Sequence, residues 1–175
     1  MGPRGLFERL RYLRSREALA TVVLPAVIVW AWWNKGGDIA WSLRGAALAL
    51  LAYILAQGTL YWHLKLRQAE DETPLPSYFH ALFCAFKWSN LAGIGALLAV
   101  LLSLLDQSAV TAADLKWSAI LLGGAALEQV NYYHYQLMYD TRAAFAHLRR
   151  NRRLRKAALG IDIARSGAKA ARTAA

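Results

Sequence analysis

The chain has 175 residues, of which 57% are hydrophobic, with seven Trp, eight Tyr and a formal charge of +10. That apolar content exceeds what one small soluble core needs and points to a single membrane-embedded domain. One cysteine, Cys84, excludes an internal disulfide framework and a Cys-rich zinc site.

Residues 1–17 form a basic segment with Arg4, Arg9, Arg11, Arg14 and Arg16. It is like the n-region of a signal peptide, but the run that follows ends in Trp30-Ala31-Trp32-Trp33-Asn34-Lys35, without a small-residue cleavage site. An uncleaved first span is expected over about 18–33, with Pro25 as a kink. Asn34-Lys35-Gly36-Gly37-Asp38 reads as a tight turn, followed by a second span over about 45–64. Thr73-Pro74-Leu75-Pro76-Ser77 breaks the chain before a third span at about 78–105. Thr111-Ala112-Ala113-Asp114 resembles a capping box opening a fourth span at about 117–139. Each apolar run approaches the ~20 residues that cross a ~30 Å hydrocarbon core. Short connections between them predict an all-α, up-down-up-down four-helix bundle occupying 18–139.

Positive charge orients it. With an inside amino terminus, seventeen basic residues fall on the inner segments and three, Lys35, Arg44 and Lys116, on the outer ones. Both termini are therefore expected in the cytoplasm of a bacterial inner membrane.

Gln57–Leu66 aligns without a gap to Glu128–Leu137, with identities Tyr61/Tyr132, His63/His134 and Leu66/Leu137. Two readings stay open: a duplicated helical hairpin, or the general preference of an inner interface for aromatic and basic residues. At 1.5 Å per residue, Glu128 lies about 21 Å below Asp114, Asn131 about 25 Å, Asn90 about 24 Å below Asp106, and Gln57 about 20 Å below Arg44. These four share a polar layer. Helical spacing adds Tyr132, Tyr135 and Tyr139 to the Glu128–Asn131 stripe, and joins His80, Phe83, Lys87, Asn90, Leu91 and Ile94 in another. Opposite the latter, Ala85, Ser89, Ala92, Gly93 and Ala96 form a small-residue face expected to pack against a helix. Lys87 is expected either to pair with Glu128 or to reach lipid phosphates.

A carboxyl near mid-span must face protein or water, so Glu128 is the principal candidate, as a working group or as polar glue. His63 and His134 at matching helix ends admit a b-type haem as a minor alternative, against the plainer role of interface anchors; His80 stands beside them as a ligand or interface candidate. No Glu-x-x-His pair supports a di-metal site.

The tail, 140–175, carries Arg149, Arg150, Arg152, Arg153, Arg155 and Lys156. With Leu154, Ala158 and Ile161 at helical spacing, a basic amphipathic helix is expected to continue from span four onto anionic headgroups, while Ser166–Ala175 frays. Lipid or an acidic protein partner suits a tethered basic run better than nucleic acid. No nucleophile elbow, Gly-rich phosphate loop or H-E-x-x-H motif is present. The preferred reading is a non-enzymatic membrane protein, either an oligomeric conductor of protons or small ions or an accessory subunit. The alternative is an enzyme or binder acting on a lipid headgroup.

Overall fold

The computed structural model describes residues 3–36, 39–105, 107, 110–138, 149–150 and 153–174. Five helices are defined there: α1 Pro3–Lys35, α2 Trp41–Glu70, α3 Phe79–Ser103, α4 Ala112–Tyr133 and α5 Ala158–Ala174. Three stretches, Gly5–Lys35, Trp41–Glu70 and Phe79–Ser103, are long and apolar enough to cross a membrane. α4 occupies the place of the expected fourth span but is not among them. Asp114, Lys116, Glu128, Gln129 and Asn131 interrupt its apolar run.

α2 is the hub. Half of its apolar window is buried, whereas only 6% of that of α1 is. α1 and α2 run antiparallel, Trp32 meeting Trp41 at one end and Arg11 meeting Glu70 at the other. α2 and α3 are also antiparallel, with Tyr53 bonded to Ser89 and Tyr61 stacked near Phe79. The most extensive packing after α1 on α2 is between α2 and α4, which run parallel: Arg44 pairs with Asp114, Leu51 lies against Gly124, and Tyr132 presses on Gly58. The core is thus built around a parallel pair, not only around helices adjacent in sequence.

The first turn of α4 forms as the sequence predicts. Thr111 has extended backbone geometry and its side chain accepts from the Asp114 N–H, satisfying one of the donors a helix start leaves open. Asp114 then does more than cap. Its Oδ1 lies 2.6 Å from Arg44 Nε and accepts from the Ala40 N–H at 3.2 Å, while its Oδ2 accepts from the Thr111 hydroxyl at 2.5 Å. The Arg44 guanidinium sits 5.5 Å from the Trp32 ring centre, and Trp32, 1% exposed, packs edge-on against Trp41 and Trp117. One ion pair and one indole therefore fasten α1, α2 and α4 at the end opposite the basic residues.

The other end departs from expectation. α4 stops at Tyr133, so Tyr135 does not continue the helical stripe; it forms an antiparallel bridge with Lys156. Gln136 N–H donates to Arg155 O at 2.9 Å and Ala157 N–H to His134 O at 3.1 Å. Asn131 holds the exit by accepting the Leu137 N–H at 2.9 Å. The tail returns as α5, which docks on α3 and α4 rather than continuing α4. Tyr61 donates to Asp162 Oδ2 at 2.9 Å, Lys65 pairs with the same oxygen at 3.1 Å, and His80 Nδ1 donates to Ile163 O at 3.1 Å. Gly160 is required for this approach, since a Cβ there would stand 2.6 Å from the Tyr133 carbonyl oxygen. The segment expected to fray is helical through Ala174, and Leu154 precedes α5 in an exposed position instead of joining its apolar face.

Burial of Asp114 opposes ionisation, but the Thr111 hydroxyl, the Ala40 N–H and the Arg44 guanidinium together hold its carboxyl below the ordinary 3.8. Its folded value lies below its unfolded one, so the stability it contributes is complete above 3.8 and is lost as pH falls through the folded value. Asp114→Ala, which strands a buried guanidinium, is expected to cost about 3–5 kcal/mol, whereas the double change Arg44→Met with Asp114→Leu recovers most of it. Denaturant unfolding in detergent at neutral pH measures both.

Candidate functional site

Three amides and a phenol form the interior polar layer. Gln57 Nε2 donates to Asn90 Oδ1 at 2.8 Å, and Asn90 Nδ2 donates back to Gln57 Oε1 at 2.9 Å. Asn90 Nδ2 also donates to Gln129 Oε1 at 2.8 Å, and Tyr133 OH to Gln57 Oε1 at 2.8 Å. Gln129 Nε2 reaches the Lys87 carbonyl at 3.3 Å. All four side chains are buried, Asn90 at 0% exposure. Every amide nitrogen and oxygen in the cluster has a partner, so α2, α3 and α4 are joined by a closed network that spends its hydrogen-bonding capacity on itself.

Gln57 and Asn90 were expected in this layer and occupy it. Gln129 and Tyr133 replace the expected Glu128 and Tyr132, because the face of α4 turned toward α3 carries the former pair. Glu128 and Asn131 lie half-buried on the flank, with Asn131 Nδ2 donating to Glu128 Oε2 at 3.1 Å. Tyr132 turns to α1, where its hydroxyl donates to Glu17 Oε2 at 2.8 Å. Lys87 offers the layer its backbone carbonyl and, among the described residues, pairs with neither Glu128 nor another acid.

Glu17 is the residue that sequence reasoning missed. It closes the basic amino-terminal segment, but α1 runs uninterrupted through it, which sets the carboxyl beside Tyr132. An acid directly ahead of an apolar run was the available signal. Among the described residues, neither Glu17 nor Glu128 forms an ion pair. A cleft of about 150 Å³ opens here between α1, the exit of α4 and the start of α5, with Tyr12, Arg16, Glu17, Asn131 and Tyr132 on its walls.

The remaining candidates are scattered. His63 and His134 are exposed, and the depression beside Tyr133 is lined by His134 without His63. His80 is spent on holding α5, with Cys84 Sγ 3.7 Å from its other nitrogen. Among the described residues no group of three or more His, Cys, Asp or Glu could hold a metal. Ala85, Ala92 and Ala96, from the face expected to pack against a helix, are exposed in the single chain; from that face Ser89 bonds to Tyr53 and Gly93 lies against Leu50. Arg149, Arg150, Arg153, Arg155 and Lys156 are exposed and precede α5; Arg149 and Arg150 are helical, and Arg153, Arg155 and Lys156 lie on the return that leads into it. Tyr139 and Arg152 lie outside the described residues.

Comparison with family models, curated proteins and solved structures gives no match to this chain.

Asn90→Leu leaves Gln57 Nε2 and Gln129 Oε1 without their present partners, and is expected to lower stability by about 1–3 kcal/mol. Glu128→Gln keeps a carbonyl oxygen for Asn131 and is expected to stay within about 0.5 kcal/mol of wild type. Melting curves of the two variants in the same detergent check the contrast.

Proposed function

We propose that this chain is a non-catalytic integral membrane protein that holds a lipid headgroup at its basic end, as an accessory component of the membrane rather than as a conductor. The observation that carries this reading is the contrast between the two polar groups. The amide layer is closed, while the neighbouring cleft contains a half-buried carboxylate, Glu17, with unspent acceptor capacity beside aromatic rings. Between the amide layer and the Arg44–Asp114 pair, the buried side chains include Leu48, Leu51, Ile54, Leu121, Leu122 and Ala125, with the Ser118 hydroxyl the one buried polar group there among the described residues. That favours a fastening over a path for ions within one chain.

In this reading α1 to α4 all cross the bilayer in alternating directions, α4 carried by the shelter of α2 and α3 despite its polar residues. Both termini lie in the cytoplasm, and the exposed Arg149, Arg150, Arg153, Arg155 and Lys156 sit at the level of anionic headgroups, where each contributes about 1 kcal/mol of attraction near the surface. The exposed small residues of α3 suit close approach by a helix of a second copy or of a larger membrane complex.

Reporter fusions at both ends are expected to give cytoplasmic signals, and an external carboxyl terminus would overturn the orientation. In proteoliposomes, proton and potassium flux is expected to match that of empty vesicles, while phospholipid stays bound through purification. Flux abolished by Glu128→Gln would instead restore the conducting reading.

A further inference from the structure

We infer that the cleft between α1, α4 and α5 recognises an organic ammonium group, the amine end of a phospho-amine headgroup. The inference deepens the headgroup-binding reading and rests on it.

Its volume, about 150 Å³, is below the roughly 300–1,000 Å³ of drug-sized pockets, which suits a small polar group and excludes a large ring system. Its walls include the side chains of Tyr12, Tyr61, Trp62 and Tyr132, with Glu17 and Arg16 as the charged members. Aromatic faces beside a carboxylate are the combination that attracts a desolvated ammonium, through ring quadrupoles and direct charge. The carboxylate is held for that task. Tyr132 OH occupies Glu17 Oε2 at 2.8 Å, which fixes the group's orientation and leaves Oε1 with no partner among the described residues. The Tyr61 hydroxyl is committed to Asp162 and its buried ring packs on Trp62, Phe79 and Phe83, so the exposed Tyr12 is the aromatic member most open to a ligand.

Charge makes the choice of ligand sharper. The chain carries a net +10, and its exposed tail cations attract any phosphate without discrimination. Ionised as the partner of an ammonium, Glu17 repels a headgroup bearing only negative charge. The exposed Arg16 guanidinium lies over one face of the Tyr12 ring, 5.6 Å from its centre, which leaves the other face for an ammonium and sets a cation one residue from Glu17 to meet a phosphate. A cation and an anion at adjacent positions match a zwitterion, an ammonium separated from a phosphate by a short linker.

The full-length protein in detergent is exchanged against phosphatidylethanolamine, against phosphatidylglycerol and against free phosphoethanolamine, and native mass spectrometry counts the molecules retained. Phosphatidylethanolamine is expected to be retained in preference to phosphatidylglycerol. Glu17→Gln and Tyr12→Ala are each expected to weaken that retention about tenfold, the equivalent of 1.4 kcal/mol, and Glu70→Gln, which removes an exposed carboxylate paired with Arg11, is expected to leave it unchanged. Tyr12 is half exposed, so its variant decides the question if Glu17→Gln fails to fold. Equal retention of both lipids, or insensitivity to Tyr12→Ala, overturns the ammonium site while leaving headgroup binding in place. Retention of neither lipid overturns the headgroup reading itself, and binding of free phosphoethanolamine alone, lost in Glu17→Gln, supports the site and assigns its ligand to a soluble source.

Discussion

An amide buried in an apolar bundle must find partners for both its nitrogen and its oxygen, and Asn90 meets that demand from two directions at once. Its nitrogen serves Gln57 and Gln129, and its oxygen accepts from Gln57. Since these residues belong to α2, α3 and α4, satisfying one side chain fixes the relative rotation and height of three helices. Apolar packing between membrane helices is weakly directional, because lipid tails compete on equal terms with Leu. The amide layer supplies the register that Leu51, Ile54, Leu97 and Leu122 alone do not specify.

α1 stands outside that layer. Besides its packing on α2, its ties are the Trp32 contacts at one end, the Arg11–Glu70 ion pair at the other, the Thr21–Thr59 hydroxyl pair at 3.1 Å, and the Glu17–Tyr132 bond. These lie along one side of the helix, leaving Val22, Val23, Val27, Trp30 and Trp33 exposed. A peripheral helix packed along one side of α2 can present a carboxylate to a cleft without breaking the core. The cleft therefore forms where α1 meets the exit of α4, at the margin of the fastened unit rather than inside it.

Much of this architecture was legible in the sequence, and the failures have identifiable causes. The long apolar helices α1 to α3, the Thr111 cap and the common depth of Gln57 and Asn90 follow from run length, capping chemistry and a fixed rise per residue. The face of α4 did not. Glu128 and Gln129 are about 100° apart on the helix, and each lies on a plausible stripe with a tyrosine: Glu128 with Tyr132, Gln129 with Tyr133. Which stripe meets α3 depends on where α1 and α3 sit, and no local pattern encodes that. The Arg44–Asp114 pair was hidden for the same reason, its partners being seventy positions apart. Arg44 was read as a surface charge at an outer turn, yet it is buried against Trp32. The end of α4 was missed because His134 and Tyr135 are unremarkable helix residues; the chain stops there because the return segment takes up their backbone groups.

The return also explains why the basic tail and the amphipathic helix are separate things. A helix lying on a membrane surface would place cations along its polar face, but α5 turns an acid, Asp162, inward to Lys65 and Tyr61 and uses Gly160 and Gly167 to approach Tyr133 and His80 closely. Such a face is shaped for protein, not for acyl chains. In the proposed headgroup-binding reading, the exposed cations that precede α5 attract phosphate without regard to its identity, whereas the carboxylate of Glu17 discriminates by sign. On that reading attraction and selection reside in different elements that meet at the start of α5, whose residues Ala158 and Leu159 complete the cleft wall. The docking of α5 on the end of the bundle is consequently part of the site's construction, since without it the pocket beside Tyr132 loses the side that encloses it.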